Sequence, residues 1–175
     1  MGRCRFVQPD VVRLMLSDVH KREHDELVSK GVEISKGHYR PATDEEVTAS
    51  FARLSASVKD GAWIDVKKEL NAGESRRVFA RLVKAMHFNE KAEIDPEQVG
   101  MSKVVEFLVG WSLTDAAGKA VPVSEAAISN LDSETYAEIV KAIDAHEEAG
   151  DKQREERKNE TGNTSNASAI SSSAN

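Results

Sequence analysis

His20 and His24 stand four residues apart in the run DVHKREHDEL, with Glu23 and Asp25 beside them and His38 further along the chain. Two imidazoles at that spacing share one face of a helix, and a third could complete a tetrahedral metal site with water. The local pattern is HKREH, so Lys21 stands where a zinc peptidase would carry its general base. A charged, solvent-facing helix therefore explains these residues better than a metal centre does. No other residue pattern calls for a cofactor. The nucleophile elbow GxSxG, the phosphate loop GxxxxGK[ST] and the dinucleotide fingerprint GxGxxG are all missing from the sequence. Asp44, Glu45 and Glu46 form a carboxylate cluster, but they lie at a helix start, where the helix dipole accounts for acidic residues. Trp63 and Trp111 each sit among apolar residues and read first as core anchors. The residues predict no catalytic site.

The elements around these residues follow from periodicity. Residues 6–17 alternate, with Val12, Leu14 and Leu16 on one side and Val11, Arg13 and Met15 on the other, as in a half-buried strand. Residues 62–70 give a second strand, with Ile64, Val66 and Leu70 opposite Trp63, Asp65 and Lys67. Between the strands, a charged helix should end at Gly31, with only Val19, Leu27 and Val28 as its apolar stripe. The stretch VEISKGHYRP is a short extended or looped connection. Thr43 and Glu46 then have capping-box spacing, and Val47, Phe51, Leu54 and Val58 follow as a face to bury.

Asn71 and Glu74 repeat that spacing before a helix that should turn Val78, Phe79, Leu82, Val83 and Met86 inward and Arg76, Arg77, Arg81 and Lys84 outward. The longest apolar stretch lies within 99–145. Asp95-Pro96 opens a helix there, and Val104, Val105, Leu108, Trp111 and Leu113 continue at roughly helical spacing. Gly118 and Pro122 break it. Ser124 and Asp132 each begin a further helix, the second with Tyr136, Ile139, Val140 and Ile143 on one face. The predicted fold is α+β and mainly α, a hairpin of 6–17 with 62–70 packed on a bundle of about four to five helices. A single domain over 1–149 would contain an inserted helical segment at 18–59. Residues 150–175 lack apolar periodicity and end in a Ser/Asn-rich tract, so a fraying helix and then a disordered tail are expected.

Composition excludes several function classes. A net charge of −6 with both signs interleaved argues against a nucleic-acid partner, which needs a clustered basic footprint. The basic positions of the 76–84 helix read as a solvated face. The single cysteine, Cys4, can form neither an internal disulfide nor a structural zinc site. No apolar run reaches membrane-spanning length, and MGRCRFVQPD lacks the apolar core of a signal peptide, so a cytosolic protein without a membrane partner is expected.

One further pattern lies in residue order. Trp63-Ile64-Asp65-Val66 followed by Gly73-Glu74, then Trp111-Ser112 with Asp115 and Gly118, Val121-Pro122-Val123, and Asn130-Leu131-Asp132 before the last helix resemble the tail assembly chaperones of long-tailed, siphovirus-type bacteriophages. The likeness covers about half the chain, with the strand FVQPDVVRLMLSD in addition. In that family the first strand turns tightly into the second. Here Ser17-Asp18 and Asp60-Gly61 look like the two halves of that turn, separated by residues 18–59. Strands can still pair across such an insertion, since each doubling of loop length costs only about 0.6 kcal/mol.

The resemblance implies a noncatalytic protein without a cofactor, acting in the host cell cytoplasm. Such proteins bind the tape-measure protein or tail tube subunits, protect their apolar segments during assembly, and leave before the virion is complete. Many occur in a short and a frameshift-extended form. Phe51 and Leu54 of the insertion, with Trp63 and Trp111, are the residues that would meet a partner, and self-association is a further possibility. A structural virion protein of the neck or tail-completion type is the alternative.

Overall fold

The computed structural model describes residues 10–87 and 96–164. It divides the chain into two compact units, Met1–Ile143 and Asp144–Asn175. The first unit holds both sheets and the apolar core. Its strands β1 (Val11–Met15), β4 (Trp63–Lys67) and β5 (Leu108–Trp111) form one antiparallel sheet in the order β1-β4-β5. Strands β2 (Val32–Ser35) and β3 (His38–Arg40) form a separate hairpin. The helices are α1 (Ser17–Lys30), α2 (Asp44–Asp60), α3 (Ala72–His87), α4 (Pro96–Phe107), α5 (Glu125–Ser129) and α6 (Ser133–Thr164). The fold is α+β and mainly helical.

β1 and β4 pair directly although α1, the hairpin and α2 lie between them in sequence. Val11 faces Lys67 and Met15 faces Trp63, so the register runs unbroken over five residue pairs. Alternation sets the faces: Ile64 and Val66 are fully buried, Leu14 is half-buried, and Val11 and Arg13 are exposed. Both strands are shorter than the sequence suggests. Leu16 already turns, its N–H bonding to the Ala62 carbonyl at 3.0 Å, and α1 begins at Ser17. Residues 6–9 lie outside the described part.

The apolar run within 99–145 departs from its expected form. The helix begins at Pro96 as predicted, while its proposed cap, Asp95, is outside the described residues. It stops at Phe107, and Leu108–Trp111 pairs with β4 instead of continuing the helix. Two physical terms favour the strand. β4 would otherwise leave an edge of unpaired amides beside the core, and Val109, Gly110 and Trp111 include β-formers and a poor helix former. Ile64 then faces Trp111 and Asp65 faces Gly110, with a bulge before Val66 meets Leu108.

The core lies between this sheet and α4, α5 and α6. Leu16, Val19, Ile64, Val66, Val104, Phe107, Leu108, Trp111, Ile128, Ile139, Ala142 and Ile143 are all buried in one cluster. The expected α6 face is present, with Ile139 and Ile143 fully buried and Tyr136 and Val140 packed beside them. Ser124 caps α5 by accepting from the Ala127 amide at 3.1 Å, and Asp132 caps α6 through the Thr135 amide at 2.9 Å. In the second unit α6 runs on to Thr164. Ion pairs one turn apart, Glu148 with Lys152 at 2.8 Å and Asp151 with Arg154 at 3.0 Å, support a helical stretch that has no apolar stripe.

Candidate interaction surface

Gly31 ends α1 at a positive φ of 85°, with its N–H bonded to the Leu27 carbonyl at 3.0 Å. A Cβ there would lie 2.0 Å from the Arg40 carbonyl oxygen, so only glycine lets the chain pass this close to β3. The β2–β3 hairpin turns at Lys36-Gly37, where Gly37 has φ 78° and its amide bonds to Glu33 Oε1 at 2.9 Å. Arg40 then grips Glu46 with both terminal nitrogens, at 2.8 and 2.5 Å. Glu46 also closes the predicted capping box with Thr43. These bonds, from Arg40 first and the Thr43 amide second, hold the Glu46 carboxyl at about 2, far below its ordinary range. Polar contacts thereby fix the hairpin to the start of α2.

This segment buries few large apolar side chains. Val28, Ile34, Tyr39, Phe51 and Val58 are all exposed, Ile34 to 65% and Phe51 to 58%. That corrects the expected inward face of α2: only Val47 and Leu54 are half-buried, and the residue α2 buries is Ser50. α1 packs against α2, with a polar contact and a ring contact between them. His24 Nδ1 lies 3.2 Å from Ser50 Oγ, and its ring sits 5.8 Å from that of Phe51. A pocket of about 500 Å³ opens between the end of α1, β3 and the start of α2, lined by Val28, Tyr39, Pro41 and Val47 among others.

The three histidines are not gathered. His20 shares a hydrogen bond with Glu138 of α6 at 2.8 Å and lies 3.5 Å from Glu23. Lys141 of α6 bonds Glu23 in turn. Burial works to raise the Glu23 carboxyl, but the Lys141 bond and the charges of Lys141, His20 and Arg53 outweigh it and hold it below its usual range. His38 is exposed on β3. Among the described residues, no three His, Cys, Asp or Glu side chains are grouped to hold a metal ion.

The two tryptophans differ. Trp111 is buried on β5, not on a helix, and its indole Nε1 donates to the Val121 carbonyl at 2.6 Å, which removes it from the accessible surface. Trp63 is half-buried on the outer sheet face, where the Arg13 guanidinium stacks 3.6 Å from the ring centroid and bonds both Asp65 carboxylate oxygens.

The residues whose order carries the phage resemblance are brought together as framework. The Trp63 amide donates to Ser112 Oγ at 2.9 Å, and the Ser112 amide donates to the Trp63 carbonyl at 3.0 Å. Asp115 Oδ1 accepts from the Ala117 and Lys119 amides, closing a turn at Gly118, φ 76°. Sequence reasoning did not find the exposed hairpin residues Ile34 and Tyr39. Period-two alternation across VEISKGHYR was their available signal. Among the described residues, no helix is long and apolar enough to cross a membrane. No family model, curated protein or solved structure matches the chain.

Proposed function

We propose that this chain is a noncatalytic tail assembly chaperone of a long-tailed bacteriophage, working in the host cytoplasm on the tape-measure protein or on tail tube subunits. The reading is supported by the resemblance in residue order and, on the structural side, by one observation. Five large apolar side chains, Val28, Ile34, Tyr39, Phe51 and Val58, are exposed on the inserted segment. A holdase needs such a surface: apolar enough to engage a client's exposed segments, and mounted on a frame that stays folded without it. The inserted segment meets that description, since its own shape is held by the Arg40–Glu46 pair and the Thr43 capping box.

Co-expression with the tape-measure protein tests the reading. The client should remain soluble and co-purify with this chain, and replacing Phe51 and Val58 together by serine should abolish both. A client equally soluble without the chain would overturn the proposal. So would stoichiometric presence of the chain in purified virions, which instead marks a structural tail or neck component.

A further inference from the structure

α3 is attached to its surroundings differently from α4, α5 and α6. Its sequence has a pronounced apolar stripe, Val78, Phe79, Leu82 and Val83, yet among the described residues none of these joins the core cluster. Phe79 is 67% exposed, which corrects its expected inward position, and the other three are half-buried. The helix packs against α4, and its charged side adds polar attachments. Glu74, itself buried, accepts from Lys67 of β4 at 2.8 Å. Arg77 donates to both carboxylate oxygens of Glu106 on α4 at 2.9 Å each, and Arg81 lies 3.5 Å from Glu125 at the start of α5. Three ion pairs therefore lead to three different elements.

A surface helix ordinarily turns its apolar stripe to the core, and such burial is insensitive to salt screening. Ion pairs are not: the screening length falls from about 10 Å at 0.1 M salt to about 3 Å at 1 M. The partly exposed Arg77 and Arg81 are open to that screening, while Glu106, once unpaired, is a buried carboxylate that favours local opening over staying dry. The directions of titration agree, since the bonds from Lys67 and Arg77 hold the Glu74 and Glu106 carboxyls below their ordinary range.

We propose that α3 is a releasable helix, docked by the Lys67–Glu74, Arg77–Glu106 and Arg81–Glu125 pairs and freed when they are screened or neutralised, so that its apolar stripe opens while the core stays folded. The inference rests on α3's own contacts and is independent of the chaperone reading.

Hydrogen exchange of the full chain, followed by mass spectrometry of peptides from 72–87 and 133–143, tests it. Raising NaCl from about 0.05 M to about 1 M should speed exchange in the α3 peptide roughly tenfold and leave the α6 peptide within about threefold. Arg77→Glu should produce the fast exchange at low salt, and combining it with Glu106→Arg should restore protection. Parallel exchange of the two peptides at both salt concentrations, or an α3 peptide that ignores salt, would overturn the proposal. The salt arm uses the unmodified chain, so it decides the matter even if a variant fails to fold.

Discussion

Trp111 donates its indole N–H to the carbonyl of Val121 at 2.6 Å, and the bond ties the 111–121 loop back onto the edge of the sheet. Within that loop the Val121 amide bonds to the Leu113 carbonyl at 3.2 Å and Thr114 bridges to Ala120. A helix through Trp111 would carry its indole away from this acceptor. The strand and the loop thus stabilise each other, and the tryptophan is the side chain common to both.

Replacing Trp111 separates the bond from the packing. Trp111→Phe should lose one buried hydrogen bond and part of the ring volume, about 1–3 kcal/mol, while Trp111→Ala should cost about 3–5 kcal/mol. Urea unfolding of the two variants measures both. Equal and small losses would mean that the indole is not a core anchor.

The Arg40–Glu46 pair has a pH signature. Its folded pKa, about 2, lies below the ordinary 4.5, so the stabilisation is fully present above the ordinary value and is lost as pH falls through the folded one. The window accordingly runs from about pH 5 to about pH 2. NMR titration of the Glu46 side chain should show the low midpoint, and Arg40→Gln should move it upward. An unmoved midpoint would show that Thr43 alone holds the carboxylate.

Much of the frame is legible in the sequence because its signals are local. Capping pairs such as Thr43 with Glu46 and Asn71 with Glu74 depend on residues three apart, and both form as their spacing suggests. The alternation in β1 and β4 likewise survives the insertion between them, since each strand carries its own pattern. What misleads is non-local. Leu108 and Trp111 fit a helical period, and only the free edge of β4 decides for a strand. Phe51 and Phe79 lie on apolar helix faces, yet sequence does not reveal that both rings stay exposed while His24 and Glu106 bond to those same helices. An apolar stripe specifies a surface in need of cover; whether the same chain supplies the cover is a tertiary fact. The candidate surface is visible in outline through Phe51, while Ile34 and Tyr39 are signalled only by the short alternation of the hairpin strands.

Gly31 should be intolerant of any side chain. Its φ of 85° disfavours other residues, and a Cβ would meet the Arg40 carbonyl oxygen at 2.0 Å. Gly31→Ala should therefore cost more than about 1 kcal/mol, the upper end of what an unhindered glycine replacement changes. Chemical denaturation measures the loss. Gly37 supplies the control: it also has positive φ, but a Cβ there meets nothing within 4 Å, so Gly37→Ala should be milder. If the two variants are equally stable, the close approach of β3 to the end of α1 is wrong.

Under the proposed chaperone function, Phe51 and Val58 separate holding the fold from engaging a client. Both are more than half exposed and neither belongs to the core, so serine at both positions removes little buried apolar area. The expected loss is within about 0.5 kcal/mol per site, as for surface substitutions away from special features. The Phe51 ring contact with His24 adds a small term of its own. Thermal melts of the double variant should nearly overlay those of the parent chain, while aggregation of a co-expressed tape-measure protein should return to its level without any chaperone. Leu54→Ser is the contrasting change: Leu54 is half-buried, so stability should fall together with client protection. A double serine variant that melts normally and still protects the client would leave the exposed face of α2 without a role in binding.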